Sequence, residues 1–69
     1  MFSWKATEFA DVIFVSRVRM LMMRGYKAKD AVEMVIREVI EETGGDQEVV
    51  KKAREAGEEF MGRVKIGLI

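Results

Sequence analysis

Residues 25–46 read GYKAKDAVEMVIREVIEETGGD, and this stretch divides the chain. A single Gly25 stands at its start and the pair Gly44-Gly45 near its end, and the chain has no Pro. Between these breaks Ala28, Val32, Val35, Ile36, Val39 and Ile40 recur at spacings of three and four, which lays one apolar stripe along a helix. Its other face is charged. Two glycine breaks with a helix between them predict three helical segments and no sheet.

The boundaries follow from capping chemistry. Asp30 followed by Glu33 resembles a capping box, and Lys27 as N-cap with Asp30 in the first turn satisfies the same signal, so helix 2 starts between residues 27 and 31. It ends near Thr43, giving an expected span of about 28–43. Toward the N-terminus, helix 1 is expected over about 4–24, with Ser3 or Thr7 available as N-cap. Gly25 suits the left-handed residue after a helix end, and Tyr26 is placed to fold back on Leu21 in a Schellman arrangement.

Toward the C-terminus, Asp46 is a good N-cap for a helix over about 47–64, where Val49, Ala53, Ala56, Phe60 and Val64 repeat the apolar spacing. Gly57 in mid-helix costs roughly 1 kcal/mol against Ala, which points to a close backbone approach. With Ala53 and Ala56 it forms a small-residue patch, expected at a tight helix crossing within the chain or across a dimer axis. The closing residues 65–69 read as a frayed end, a short strand or an apolar arm.

Helix 1 departs from the single-stripe pattern. On a helical wheel one apolar sector holds Phe2, Phe9, Ile13 and Met20, and another holds Ala10, Phe14, Val15, Val18, Leu21 and Met22. Together they cover well over half the circumference, more than two partner helices of the same chain need to contact. A 69-residue chain without disulfide or metal also gains only a few kcal/mol of net stability from one small core. Both points lead to one expectation: an all-α, three-helix protein, a single domain over 1–69 with a long N-terminal helix, assembling as a homodimeric helical bundle. The residues expected at its oligomer interface are Phe9, Ile13, Phe14, Met20 and Leu21. Trp4 and Phe2 either anchor that interface or cap the intramolecular core. Met20, Met22, Met23, Met34 and Met61 either fill the core or line an adaptable binding surface.

Composition removes most chemistry. There is no Cys and no His, which excludes a disulfide framework, thiolate metal sites, the usual zinc ligands and a triad base. No cofactor is expected. The acid/base groups that remain are carboxylates, Lys and one Tyr, with no evident nucleophile, so an enzyme is the last of the readings. The lack of Asn and Cys, beside 35% charged residues, resembles the composition of proteins from hot environments. The most apolar window, Phe9 to Met23, contains Asp11, Arg17 and Arg19, too many charges for a membrane span, and residues near the N-terminus do not read as a signal peptide. A cytoplasmic address is the expectation.

Twelve basic and twelve acidic residues cancel, but unevenly along the chain: residues 1–30 carry +3, residues 31–49 carry −5 and residues 50–69 carry +2. Arg17, Arg19, Arg24, Lys27 and Lys29 gather near the first turn, where they suit either phosphate contacts or the acidic helix 2 of a neighbour. A helix-turn-helix reading would place Gly44 in the turn and send Gln47, Lys51, Lys52 and Arg54 of helix 3 toward a groove. Glu41, Glu42, Asp46 and Glu48 surround that turn and oppose it, since phosphate repels them before any base is read.

One internal echo remains. Arg37-Glu38-Val39-Ile40-Glu41-Glu42 and Arg54-Glu55-Ala56-Gly57-Glu58-Glu59 share the pattern R-E-x-x-E-E. Four acids from two such helices would suit a hard cation, yet no His follows them, and exposed Arg and Glu four apart make ordinary surface pairs. The sequence therefore predicts a non-enzymatic, homo-oligomerising protein-protein interaction or assembly module, with a small nucleic-acid-binding regulator as the alternative.

Overall fold

The computed structural model describes residues 11–67, and these form three α-helices: α1 (Asp11–Met23), α2 (Ala28–Thr43) and α3 (Gln47–Lys65). No strand occurs among the described residues, in line with the all-α expectation. As described, α3 is the longest of the three at 19 residues, and α1 is described over 13. The expected stretch 4–10 of helix 1, with Trp4, Phe9 and Ala10 in it and Phe2, Ser3 and Thr7 around its start, lies outside the described residues.

The first turn is the anticipated Schellman motif. The Tyr26 N–H donates to the Leu21 carbonyl at 3.2 Å and the Gly25 N–H to the Met22 carbonyl at 3.0 Å, with Gly25 at φ +108°. Its left-handed backbone is open to glycine at no steric cost. Lys27 is the N-cap of α2, in an extended conformation and without a side-chain capping bond, which places Asp30 in the first turn beside the positive end of the helix dipole. Of the two starts compatible with the sequence, this is the earlier.

The second turn is held more firmly. Gly44 is left-handed at φ +66°, the Gly45 N–H donates to the Ile40 carbonyl at 3.0 Å, and the Asp46 carboxylate accepts from the N–H groups of Glu48 and Val49. The Thr43 hydroxyl donates to the Val39 carbonyl at 2.7 Å and accepts from the Asp46 N–H at 3.3 Å. The end of α2 and the start of α3 are thereby one hydrogen-bonded unit. At the far end α3 runs through Lys65, and Ile66-Gly67 is a turn whose N–H groups reach back to Gly62 and Val64. Residues 65–67 are thus helix end and turn, not strand, and Leu68 and Ile69 lie outside the described residues.

All three helix pairs touch, α2 with α3 most extensively. The core is built from Phe14 and Val18 of α1, Ala31, Val32, Val35 and Val39 of α2, and Val49, Ala53, Ala56 and Phe60 of α3. No polar side chain is buried among the described residues. Gly57 marks the meeting point of the three helices. A Cβ there would sit 2.8 Å from Val32 Cγ1 and 3.7 Å from the tip of the Phe14 ring. The close crossing expected from Gly57 is therefore intramolecular, with α3 drawn against α2 and the α1 phenylalanine closing over it.

Candidate interaction surface

The turn from α1 to α2 aims one side of α1 at the other two helices. Phe14 and Val18, four apart, are fully buried there, with Val15, Leu21 and Met22 packed beside them. On the opposite side Val12 is 75% exposed, Met20 46% and Met23 88%. The two sectors read on the wheel thus have different fates. The one containing Phe14 and Val18 is the intramolecular side; of the other, Met20 is exposed, Ile13 packs at the edge of the core, and Phe2 and Phe9 lie outside the described residues.

This sorts the residues expected at an oligomer interface. Met20 is at the surface and Ile13 is half-buried at the edge of the core. Phe14 is a correction: with no surface of its own, it packs inside the chain, in the core shared by all three helices. Leu21 is partly buried against the core, and Phe9 lies outside the described residues. Val12 is not singled out in the sequence, since it belongs to neither sector, and Met23 reads only as one of the methionines that either fill the core or line a binding surface. At 100° per residue Val12 and Met23 lie about 20° apart on the arc between the two sectors, away from Val18, and that position is the signal that would have found them.

The basic residues fall into two groups at opposite ends of α2, a helix about 24 Å long at 1.5 Å per residue. Around the first turn Arg19, Arg24, Lys27 and Lys29 are exposed. Arg17 is held differently: its guanidinium donates to Glu38 on α2 at 2.6 Å, in a half-buried ion pair that ties α1 to α2. Lys51, Lys52 and Arg54 are exposed on the first turns of α3. No single surface patch collects both groups.

Glu42, one turn after Glu38 on α2, has its carboxyl pushed above the usual carboxylate range. Desolvation along the helix is the largest cause, followed by the negative charge of Glu38 and a hydrogen bond with it, while Arg17 pulls the other way. The side chain is exposed, so water and salt soften the effect.

The acids of the R-E-x-x-E-E echo do not converge. Glu38 pairs with Arg17 and Glu59 with Arg63, and among the described residues no three acids are grouped to hold a metal ion.

A second apolar feature runs between α2 and α3. Ile40, Gly45 and Val50 line an open groove of about 440 Å³ with Lys51, Arg54 and Glu58 on its rim. A neighbouring groove of about 430 Å³ continues past Ile36, Gly57 and Met61. Ile36 and Ile40 are the trailing edge of the α2 stripe, turned past the line along which α3 packs.

No helix among the described residues is long and apolar enough to cross a membrane. No known protein family, curated protein or solved structure matches the chain.

Proposed function

We propose that this chain is a non-enzymatic helical interaction module that assembles with itself through the outer side of α1. One observation carries the reading: α1 buries Phe14 and Val18 on one side while Val12, Met20 and Met23 face solvent on the other. A helix with one side in the core normally turns charge to water on the opposite side, as α2 and α3 largely do here. Exposed apolar side chains gathered on one helix face mark an association surface, and a two-fold pair is the simplest way for a small chain to cover it.

Light scattering on a size-exclusion column at micromolar concentration tests this directly. The expected mass is twice 7.9 kDa. A well-folded monomer at that concentration overturns the proposal. Met23→Glu should dissociate the assembly while leaving helicity intact, because the side chain is 88% exposed within one chain.

A second reading, a small nucleic-acid-binding regulator, rests on the exposed Arg19, Arg24, Lys27 and Lys29 around the first turn. Asp30 and Glu33 lie exposed beside them and offset their field. Duplex binding that weakens steeply with salt and after Arg19→Gln would favour this reading over the first, and absence of binding at low salt removes it.

A further inference from the structure

The outer side of α1 carries a repeat that the core of the chain uses only at its edge, through Ile13. Ile13, Ser16, Met20 and Met23 are spaced three, four and three apart, the alternation by which two helices interlock in a coiled coil. At 100° per residue the four fall within an arc of about 80°, and Val18, fully buried, points the opposite way. Ser16, Met20 and Met23 are exposed and Ile13 is half-buried. The helix therefore has an inward face and an outward seam.

We propose that a second copy of this chain covers the seam with its own α1 running antiparallel, so that Ser16 packs against the partner's Met20 and Ile13 against the partner's Met23. This rests on the reading that α1 is the self-association surface and specifies how the two copies meet. The seam is self-complementary. Ile13 and Ser16 are separated by three residues, as are Met20 and Met23, so reversing the helix about a two-fold axis lays each residue of the first pair on one of the second. Each contact then matches a small or stiff side chain with a long flexible one, which fills the interface evenly.

Parallel pairing does the opposite. It would stack Ser16 on Ser16, leaving a hole lined by hydroxyls, beside Met20 on Met20. Antiparallel pairing sets Arg17 and Arg19 across from their own copies on the two flanks: Glu38 of α2 holds Arg17 at 2.6 Å, and Glu59 of α3, itself paired with Arg63, lines the same groove as Arg19.

The chain contains no Cys, so introduced thiols report without background. Ser16→Cys and Met20→Cys variants, each checked for unchanged helicity, would be oxidised mildly, alone and after equilibration as a reduced equimolar mixture. Antiparallel pairing predicts several-fold more cross-linked dimer in the mixture than in either variant alone. Only the 16-to-20 pairing brings Cα atoms within disulfide range, whereas like residues are offset by a further four residues along the axis, about 6 Å. Equal cross-linking of each variant with itself overturns the antiparallel register. A dimer by light scattering that cross-links in none of the three samples also overturns it, while leaving self-association standing. A monomer overturns both this inference and the function it rests on.

Discussion

α1 and α3 each contribute one phenylalanine to the same core, Phe14 and Phe60, both essentially without exposed surface, yet the two helices meet the rest of the molecule differently. α3 meets α2 at Gly57, where even a Cβ would come within 2.8 Å of Val32, and its start is locked to the end of α2 by Asp46 and Thr43. α1 packs through larger side chains, Phe14, Val18 and Leu21, and its tie to α2 outside the core is the Arg17–Glu38 pair. α3 turns mostly charge to solvent, while α1 exposes Val12, Met20 and Met23. A helix packed closely on one side and polar on the other is finished within the chain. A helix apolar on both sides is not, and under the proposed function it is half of a contact.

The largest expected effect tests whether the two helices share one core at all. Phe14→Ala and Phe60→Ala should each cost about 3–5 kcal/mol, comparable to the whole stability of a domain this small. Urea unfolding followed by circular dichroism measures both. A loss below about 1 kcal/mol for Phe14→Ala beside a full loss for Phe60→Ala would break the comparison by showing that α1 is not anchored in the common core.

Next in size is the α2–α3 crossing. Gly57→Ala gains roughly 1 kcal/mol of helix propensity, but its Cβ would meet Val32 Cγ1 at 2.8 Å. Val32 is β-branched and almost fully buried, so it has little room to turn aside, and overpacking of this kind costs about 1–3 kcal/mol. The net expectation is destabilisation of about 1 kcal/mol, and adding Val32→Ala should cost less than the two changes separately. Additive losses would show that the two residues do not press on each other.

The helix starts sharpen the contrast by smaller amounts. Asp46 accepts two backbone N–H bonds, so Asp46→Ala should lose about 1 kcal/mol. Lys27 caps α2 without using its side chain and already has the extended backbone an N-cap needs, so Lys27→Asp should gain roughly 0.5–1 kcal/mol. Thermal melts of both variants check the pair. An unchanged melting temperature for Asp46→Ala would mean that the second turn is held by its glycines and Thr43 without the carboxylate.

Met23 separates fold from assembly. Met23→Ser should change the stability of the dilute chain by no more than about 0.5 kcal/mol, since 88% of the side chain is exposed, and should weaken self-association at micromolar concentration. A variant that unfolds in dilute solution would place Met23 in the core after all.

Much of this architecture was legible because local signals agreed. The glycine breaks, the Schellman pair Gly25-Tyr26 and the single stripe of α2 put that helix at 28–43, where it lies, and Asp46 placed the start of α3 at 47. Gly57 announced a close approach because its helix-propensity cost is hard to explain otherwise. The sides of α1 could not be assigned in the same way. Periodicity says which residues share a face, but whether Phe14 or Met20 turns inward depends on what the other two helices bring to the core, Val35 and Phe60 among them, far along the chain. Arg17 likewise reads as one cation in a basic cluster until its partner Glu38, twenty-one residues away, is seen beside it. Long-range pairings of this kind leave no trace in local spacing.

The smallest expected effect concerns charge on the outer edge of α2. Folding raises the Glu42 carboxyl above its ordinary value, through desolvation first and then through Glu38, so the folded chain binds this proton more tightly than the unfolded one. The sign follows: Glu42 contributes stability while it is protonated and loses that contribution as pH rises through the raised value, leaving it slightly unfavourable at neutral pH. Glu42→Gln should therefore raise the neutral-pH melting temperature by a small margin that shrinks as salt is added and disappears in acid, where both forms are uncharged. Melts between pH 4 and pH 7 at low and high salt measure it. Destabilisation by Glu42→Gln at pH 7 would reverse the sign, and it would mean that the carboxylate serves as a partner for Arg17 rather than crowding Glu38.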